Sequence, residues 1–209
     1  DDWSVAGISR ENAKLVNYET NTTKIRYGGT ISDNAVLNGI SDLKSRGYKV
    51  MFLPMMMMDL NQKSWRGRLT CKPAEIYNFF NKQNGYNNFI LHYARLLKGK
   101  IDAFVIGSEM IGLTKVMDSN NNFPAILEFK KLAKLVRDIL GNDVIITYAA
   151  DWSEYHHADG GWYNMDDLWS DVNIDVIGID AYFPITQDIL HKPKIDEIIN
   201  GIQSGEGYD

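Results

Sequence analysis

The sequence of 209 residues holds one cysteine, Cys71, so it forms no disulfide within the chain, and it has no paired Cys/His spacing of the structural-zinc kind. Neither a disulfide scaffold nor a zinc finger is open to it. Basic blocks are absent as well: 22 Lys and Arg stand against 27 Asp and Glu, for a net charge of -5. That balance argues against nucleic acid as a partner. Long apolar runs are also missing. Val50 to Leu53 and Met55 to Met58 are separated by Pro54 and closed by Asp59, well short of the roughly 20 residues a membrane span needs. No nucleotide-binding glycine pattern follows any apolar run, so no cofactor is expected. There is no linker, repeat or low-complexity tract, which predicts one domain over residues 1–209. The start, Asp1-Asp2-Trp3, has neither an initiating Met nor the features of a signal peptide and reads as a piece of a longer sequence.

What is present is a core-forming composition, 44% hydrophobic and 23% charged, with apolar runs that alternate with helical periodicity. Ser32-Asp33 opens a segment with Val36, Leu37, Ile40 and Leu43 on one face, and Gly47 closes it. Lys49 to Pro54 reads as a strand. A polar loop from Asp59 to Thr70 leads to helical segments near 73–82, opened by Pro73, and 85–98. Ile101 to Gly107 is the next strand, Asn122 and Pro124 start a helix that Gly141 stops, and Val144 to Ala150 is a third strand. A long loop from Asp151 to Asn173 precedes a strand at Ile174 to Tyr182 and a helix near 194–203. With a weak strand at Trp3 to Ser9 in front, this gives about five βα units, where a closed barrel has eight. The expected fold is α/β, a TIM (β/α)8 barrel-like domain incomplete at both ends, with about strands 2 to 6 present.

In such a barrel the chemistry gathers at the carboxyl ends of the strands. Those ends are polar here: Glu109 follows the run ending at Ser108, Asp151 and Glu154 follow Ala150, and Asp180 and Tyr182 close the last strand. Period-two alternation puts Val105, Gly107 and Glu109 on one face, with Thr147, Ala149 and Asp151, and Gly178, Asp180 and Tyr182. The opposite parity carries Ile106, Ile177 and Ile179, the set that suits the helix side. Inward carboxylates repel one another and raise at least one pKa, which supplies a proton donor. Trp65, Trp152, Tyr155, Trp162 and Trp169 in the adjacent loops offer faces on which sugars stack, so the pocket suggests glycoside hydrolysis. An acidic strand end equally caps a helix or pairs with Arg66 or Arg68, and inward acids also orient other side chains. Asp175 sits at the amino end of its strand, and Glu154 stands furthest along its loop. The Met55 to Met58 run reads as packing, and the adjacent His156 and His157 as a loop pair rather than a metal site.

Taken together, Tyr27-Gly28-Gly29-Thr30, Met58-Asp59, Trp65-Arg66-Gly67-Arg68-Leu69-Thr70, His92-Tyr93-Ala94, Gly107-Ser108-Glu109-Met110, Tyr148 to Tyr155, and Gly178 to Pro184 resemble the TIM-barrel-like domain of gene transfer agent and phage-tail proteins. The resemblance implies a host-specificity protein of a virion or tail particle, assembled in the bacterial cytoplasm. Its partners would be a bacterial surface glycan and other tail proteins. It also implies a barrel similar to retaining glycoside hydrolases, in which the glutamate ending the fourth strand is the acid/base. Glu109 matches that position, with Ser108 where those enzymes usually carry Asn. Trp65, Arg66, Asp151, Trp152, Glu154, Asp180 and Tyr182 would then shape the substrate site. The nucleophile of those enzymes ends the seventh strand, which this sequence does not reach, and Glu206 in its Gly-rich turn is a poor substitute. The same resemblance fits a non-catalytic structural or receptor-binding tail module.

Overall fold

The computed structural model describes residues 32–56, 65–186 and 192–204. The expected strand at Trp3 to Ser9, the Tyr27 to Thr30 block, Met58-Asp59 and Glu206 lie outside these. Helix α1 (Asp33–Ser45) begins where Ser32 accepts a hydrogen bond from the Ala35 N–H at 3.3 Å and ends before Gly47, whose φ of 81° suits a residue without a Cβ. There follow β1 (Met51–Phe52), a 3-10 turn at Arg66–Arg68, α2 (Pro73–Asn81), α3 (Tyr86–Leu96) and β2 (Ala103–Ser108). Then come α4 (Ile111–Thr114), α5 (Pro124–Leu140), β3 (Ile145–Asp151), α6 (Asp166–Trp169), β4 (Gly178–Asp180) and α7 (Ile195–Ser204). All pairings are parallel, in the order β1-β2-β3-β4. This is the α/β, TIM-barrel-like arrangement read from the alternation of runs and helices. Two short helices add to that reading: α4, in a stretch to which the sequence assigned no element, and α6, within the loop expected from Asp151 to Asn173.

The core lies between the sheet and α2, α3 and α5. Helix α5 contributes Ala125, Ile126, Phe129, Leu132, Ala133, Val136 and Leu140, spaced three and four apart, to one buried stripe. Phe104 and Ile106 of β2 and Ile146, Tyr148 and Ala150 of β3 meet it. Phe129 is the hub, with ring centroids 4.9 Å from Phe80 and 5.0 Å from Tyr148, both edge-on. Each such ring removed from water contributes about 1.5–3 kcal/mol, so this cluster fixes the depth at which the strand ends sit. Arg137 braces the opposite end of the sheet, donating to Val144 O at 2.7 Å and to Asp175 Oδ2 at 2.5 Å. Asp175 also accepts from the Ile146 N–H at 2.6 Å, which makes it a structural group at the amino end of the sheet.

Two departures from simple alternation matter. Val105 pairs with Thr147 but Ser108 pairs with Ala149, so β2 carries one extra residue, a bulge between Val105 and Ser108. Beyond the bulge the faces exchange. Gly107 turns toward the helices, where a Cβ would press on the rings of Tyr148 and Phe129, and Ser108 takes the inner face that parity assigned to its neighbours. The second departure is at β4: Ile177 and Ile179, expected against helices, are 59% and 37% exposed. The apolar residues of α7, Ile195, Ile199 and Ile202, are exposed as well and do not cover them.

Candidate active site

Glu109 directly follows β2 and has a φ of 50°, a left-handed conformation that costs a residue with a Cβ roughly 1–3 kcal/mol. The surroundings hold it there. Its N–H donates to Ala149 O at 2.8 Å, and the next N–H, of Met110, donates to the Tyr148 hydroxyl at 2.8 Å. The side chain, on a residue 9% exposed, meets the 3-10 turn. Trp65 Nε1 donates to Glu109 Oε2 at 2.6 Å, and an Arg66 terminal nitrogen lies 2.9 Å from the same oxygen. Glu109 Oε1 accepts no hydrogen bond from the described residues. A half-tethered carboxyl group of this kind is positioned yet keeps one oxygen for another molecule.

Arg66 organises the rest of the cluster. Its Nε donates to Ser108 O and its terminal nitrogen to Ser108 Oγ, both at 2.8 Å, so one planar guanidinium fixes the backbone and side chain of the strand end together. Ser108 Oγ then donates to Asp180 Oδ2 at 3.1 Å, joining β2 to the end of β4. The turn comes close enough to serve because glycine lines the contact on both sides. A Cβ on Gly67 would collide with the Trp65 ring, and one on Gly112 of α4 with the backbone carbonyls of Leu69 and Gly67.

Thus Trp65, Arg66, Glu109 and Asp180 converge at one place, with Ser108 as the bridge. Sequence reading did not give Ser108 that role, because only the bulge turns it inward. The other residues expected at the site are placed differently. Asp151 is buried and its Oδ2 accepts from the N–H and hydroxyl of Ser153 at 3.0 and 2.5 Å, so its side chain shapes the turn after β3. Glu154, 1% exposed, points into the protein. It accepts from Thr114 Oγ1 at 2.6 Å, the Tyr148 hydroxyl at 2.9 Å and the Asp151 N–H at 3.0 Å. Burial pushes its carboxyl up to about 7, with the three donors pulling the other way. Burial, and then the Glu154 charge, likewise raise the Tyr148 hydroxyl well above its ordinary value. Tyr182, 75% exposed, stands just past Asp180, and Trp152 is half-buried.

Of the loop aromatics, Trp169 is tied to Tyr155 O at 3.1 Å and packs on Tyr148, which leaves it half-buried against the core. Trp65 and Trp162 stay exposed. His156 and His157 hydrogen-bond to each other through Nδ1. Among the described residues, no group of three or more His, Cys, Asp or Glu is placed to hold a metal ion, and no helix is long and apolar enough to cross a membrane.

The model of one protein family, described as the GTA TIM-barrel-like domain, matches residues 84–208. No curated protein matches the chain. Among solved structures, a GH113 β-1,4-mannanase superimposes with a TM-score of 0.51 at 20% identity, covering 88% of this chain and 52% of that one. The GH113 β-mannanase AaManA from Alicyclobacillus acidocaldarius in complex with ManMIm gives 0.52 at 20% identity, covering 78% and 46%. At such identity the likeness shows the fold, and the chain spans about half the length of these enzymes.

Proposed function

The chain belongs to the GTA TIM-barrel-like domain family, and from that premise we propose that it is the glycoside hydrolase-like module of a phage-tail or gene-transfer-agent host-specificity protein. Its ligand is a bacterial surface glycan, entering at the carboxyl ends of β2 to β4. Glu109, oriented by Trp65 and Arg66, is the acid/base of a retaining cleavage whose nucleophilic carboxylate is supplied from outside these 209 residues, with Asp180 and Tyr182 beside the sugar. The observation that carries this reading is the Glu109 carboxyl itself. It sits at a strand end on left-handed backbone, with Oε2 tethered and Oε1 accepting no hydrogen bond from the described residues. Strained backbone kept in place by several neighbours is the mark of a position used for more than folding. The mannanase fold of the structural neighbours supports a polysaccharide as ligand.

A second reading, a receptor-binding module without catalysis, is favoured by the engagement of Glu109 Oε2 by both a guanidinium and an indole. Release of reducing ends from purified bacterial cell-wall polysaccharide by the longer protein that carries this domain together with a seventh strand separates the two. Glu109→Gln is expected to slow release 100-fold or more while co-sedimentation with the polysaccharide persists. Unchanged turnover would remove Glu109 from the acid/base role. Wild-type binding with no release at all selects the receptor-binding reading.

A further inference from the structure

On the same end of the sheet lies a cleft of about 130 Å³ lined by Lys115, Met117, Phe123, Ala158, Asp159 and Trp162. Its walls come from the segment after α4, which itself follows Glu109, and from the loop after β3. The Trp162 indole is 42% exposed yet presented by a built turn. Ala158 N–H donates to Trp162 O at 2.7 Å and Gly161 N–H to Ala158 O at 3.1 Å. Gly160 and Gly161 both have positive φ, 84° and 77°, in the three-residue loop that joins the paired Ala158 and Trp162, a conformation that favours residues without a Cβ. The buried Asn164 anchors the turn, its N–H donating to Trp162 O at 2.9 Å and its Nδ2 to Thr114 O at 3.0 Å. Phe123 supports the indole edge-on, with centroids 6.3 Å apart.

A rigid, exposed indole beside a wet ion pair is a recognition surface rather than packing. Lys115 Nζ and Asp159 Oδ2 lie 3.3 Å apart at the rim, with the Asp159 side chain 95% exposed, so the pair contributes little to stability and leaves a donor and an acceptor in water. An apolar ring face with a donor and an acceptor beside it matches a pyranose, whose C–H face is apolar and whose edge carries hydroxyls. We propose that this cleft is a second sugar subsite, taking one pyranose of the polysaccharide that enters at Glu109, stacked on Trp162 with its hydroxyls read by Lys115 and Asp159. The identity of the ligand rests on the proposed function; the location of the subsite rests on the cleft.

The test uses the five tryptophans as reporters in the 209-residue chain labelled at indole nitrogen, with the Trp162 and Trp65 signals assigned from Trp162→Phe and Trp65→Phe. The probes are β-1,4-linked oligosaccharides from disaccharide to octasaccharide, one series from mannan and one from peptidoglycan glycan strands. The expected result is a shift of both Trp65 and Trp162 with the longest chains, and a loss of about tenfold in their affinity in Trp162→Ala. A shift of Trp65 without Trp162 at every length overturns the subsite and leaves the Glu109 reading standing. A shift of Trp162 alone keeps the subsite and removes the ligand from Glu109. No shift of either signal with any probe overturns both.

Discussion

The buried carboxyl of Glu154 makes stability depend on pH in a direction opposite to that of most acidic side chains. Its value in the folded protein is about 7 against an ordinary 4.5, so the folded state binds this proton more tightly than the unfolded chain does. Stability is therefore greatest below about 4.5, falls as pH rises through the interval to about 7, and is level above it. At ~1.36 kcal/mol per pH unit, ionising the buried group costs on the order of 3 kcal/mol. Glu154→Gln removes the titration while keeping the shape. Its amide oxygen still accepts from Thr114 and Tyr148, but its NH2 group then faces the Asp151 N–H that Oε2 had accepted. That unmet donor costs about 1–3 kcal/mol at every pH. The variant should thus be less stable than wild type near pH ~5, and the gap should close or reverse near pH ~8. Urea unfolding of both proteins across that range, compared at each pH, isolates this one group. A difference that stays constant with pH would refute the reasoning, because it would mean that Glu154 titrates alike in the folded and unfolded chain.

Two further outcomes follow from the same packing. Gly107→Ala drives a methyl group against the buried rings of Tyr148 and Phe129 and should cost about 1–3 kcal/mol, read as a lowered melting midpoint; an unchanged midpoint would show that the bulge gives way freely. Asp102 is held down at about 2 by the Lys44 hydrogen bond and then by the Val50 N–H, so its contribution is present above the ordinary carboxylate range and lost as pH falls through that value. Asp102→Asn should flatten the acid limb of the melting curve between pH ~4 and ~2, and an acid limb as steep as wild type would remove Asp102 as its source.

The fold was legible because its signals are local. The stripe Ile126, Phe129, Leu132, Val136 between Pro124 and Gly141 allows only a helix, and buried parallel strands announce themselves as apolar runs. The convergence of Trp65 and Arg66 with Glu109 was legible only as chemistry, since more than forty residues separate the two segments and no periodicity connects them. The bulge was not legible at all. Val105-Ile106-Gly107-Ser108 gives no sign of an extra residue, because a bulge is set by register against β3 and by the room that glycine leaves beside Tyr148. For the same reason the raised carboxyl was expected among acids at the mouth and is found at Glu154, where burial rather than mutual repulsion is the larger cause.

Tyr148 joins these features. Its ring packs on Phe129 at the centre of the core, and its hydroxyl accepts from the Met110 N–H and donates to Glu154. Met110 directly follows the left-handed Glu109, so the backbone that aims the candidate acid/base is fixed from the interior by one phenol and from the surface by Trp65 and Arg66. The two restraints differ in kind. The interior one is buried and fully hydrogen-bonded, and its loss would disturb the core. The surface one is carried by a short turn whose Trp65 is in part open to solvent, so under the proposed function a sugar displaces the indole from Glu109 without disturbing the core. A half-tethered carboxyl on a rigid backbone, with its outer tether replaceable, leaves Oε1 open to the ligand of the proposed function while Oε2 is held by Trp65 and Arg66 until the sugar enters.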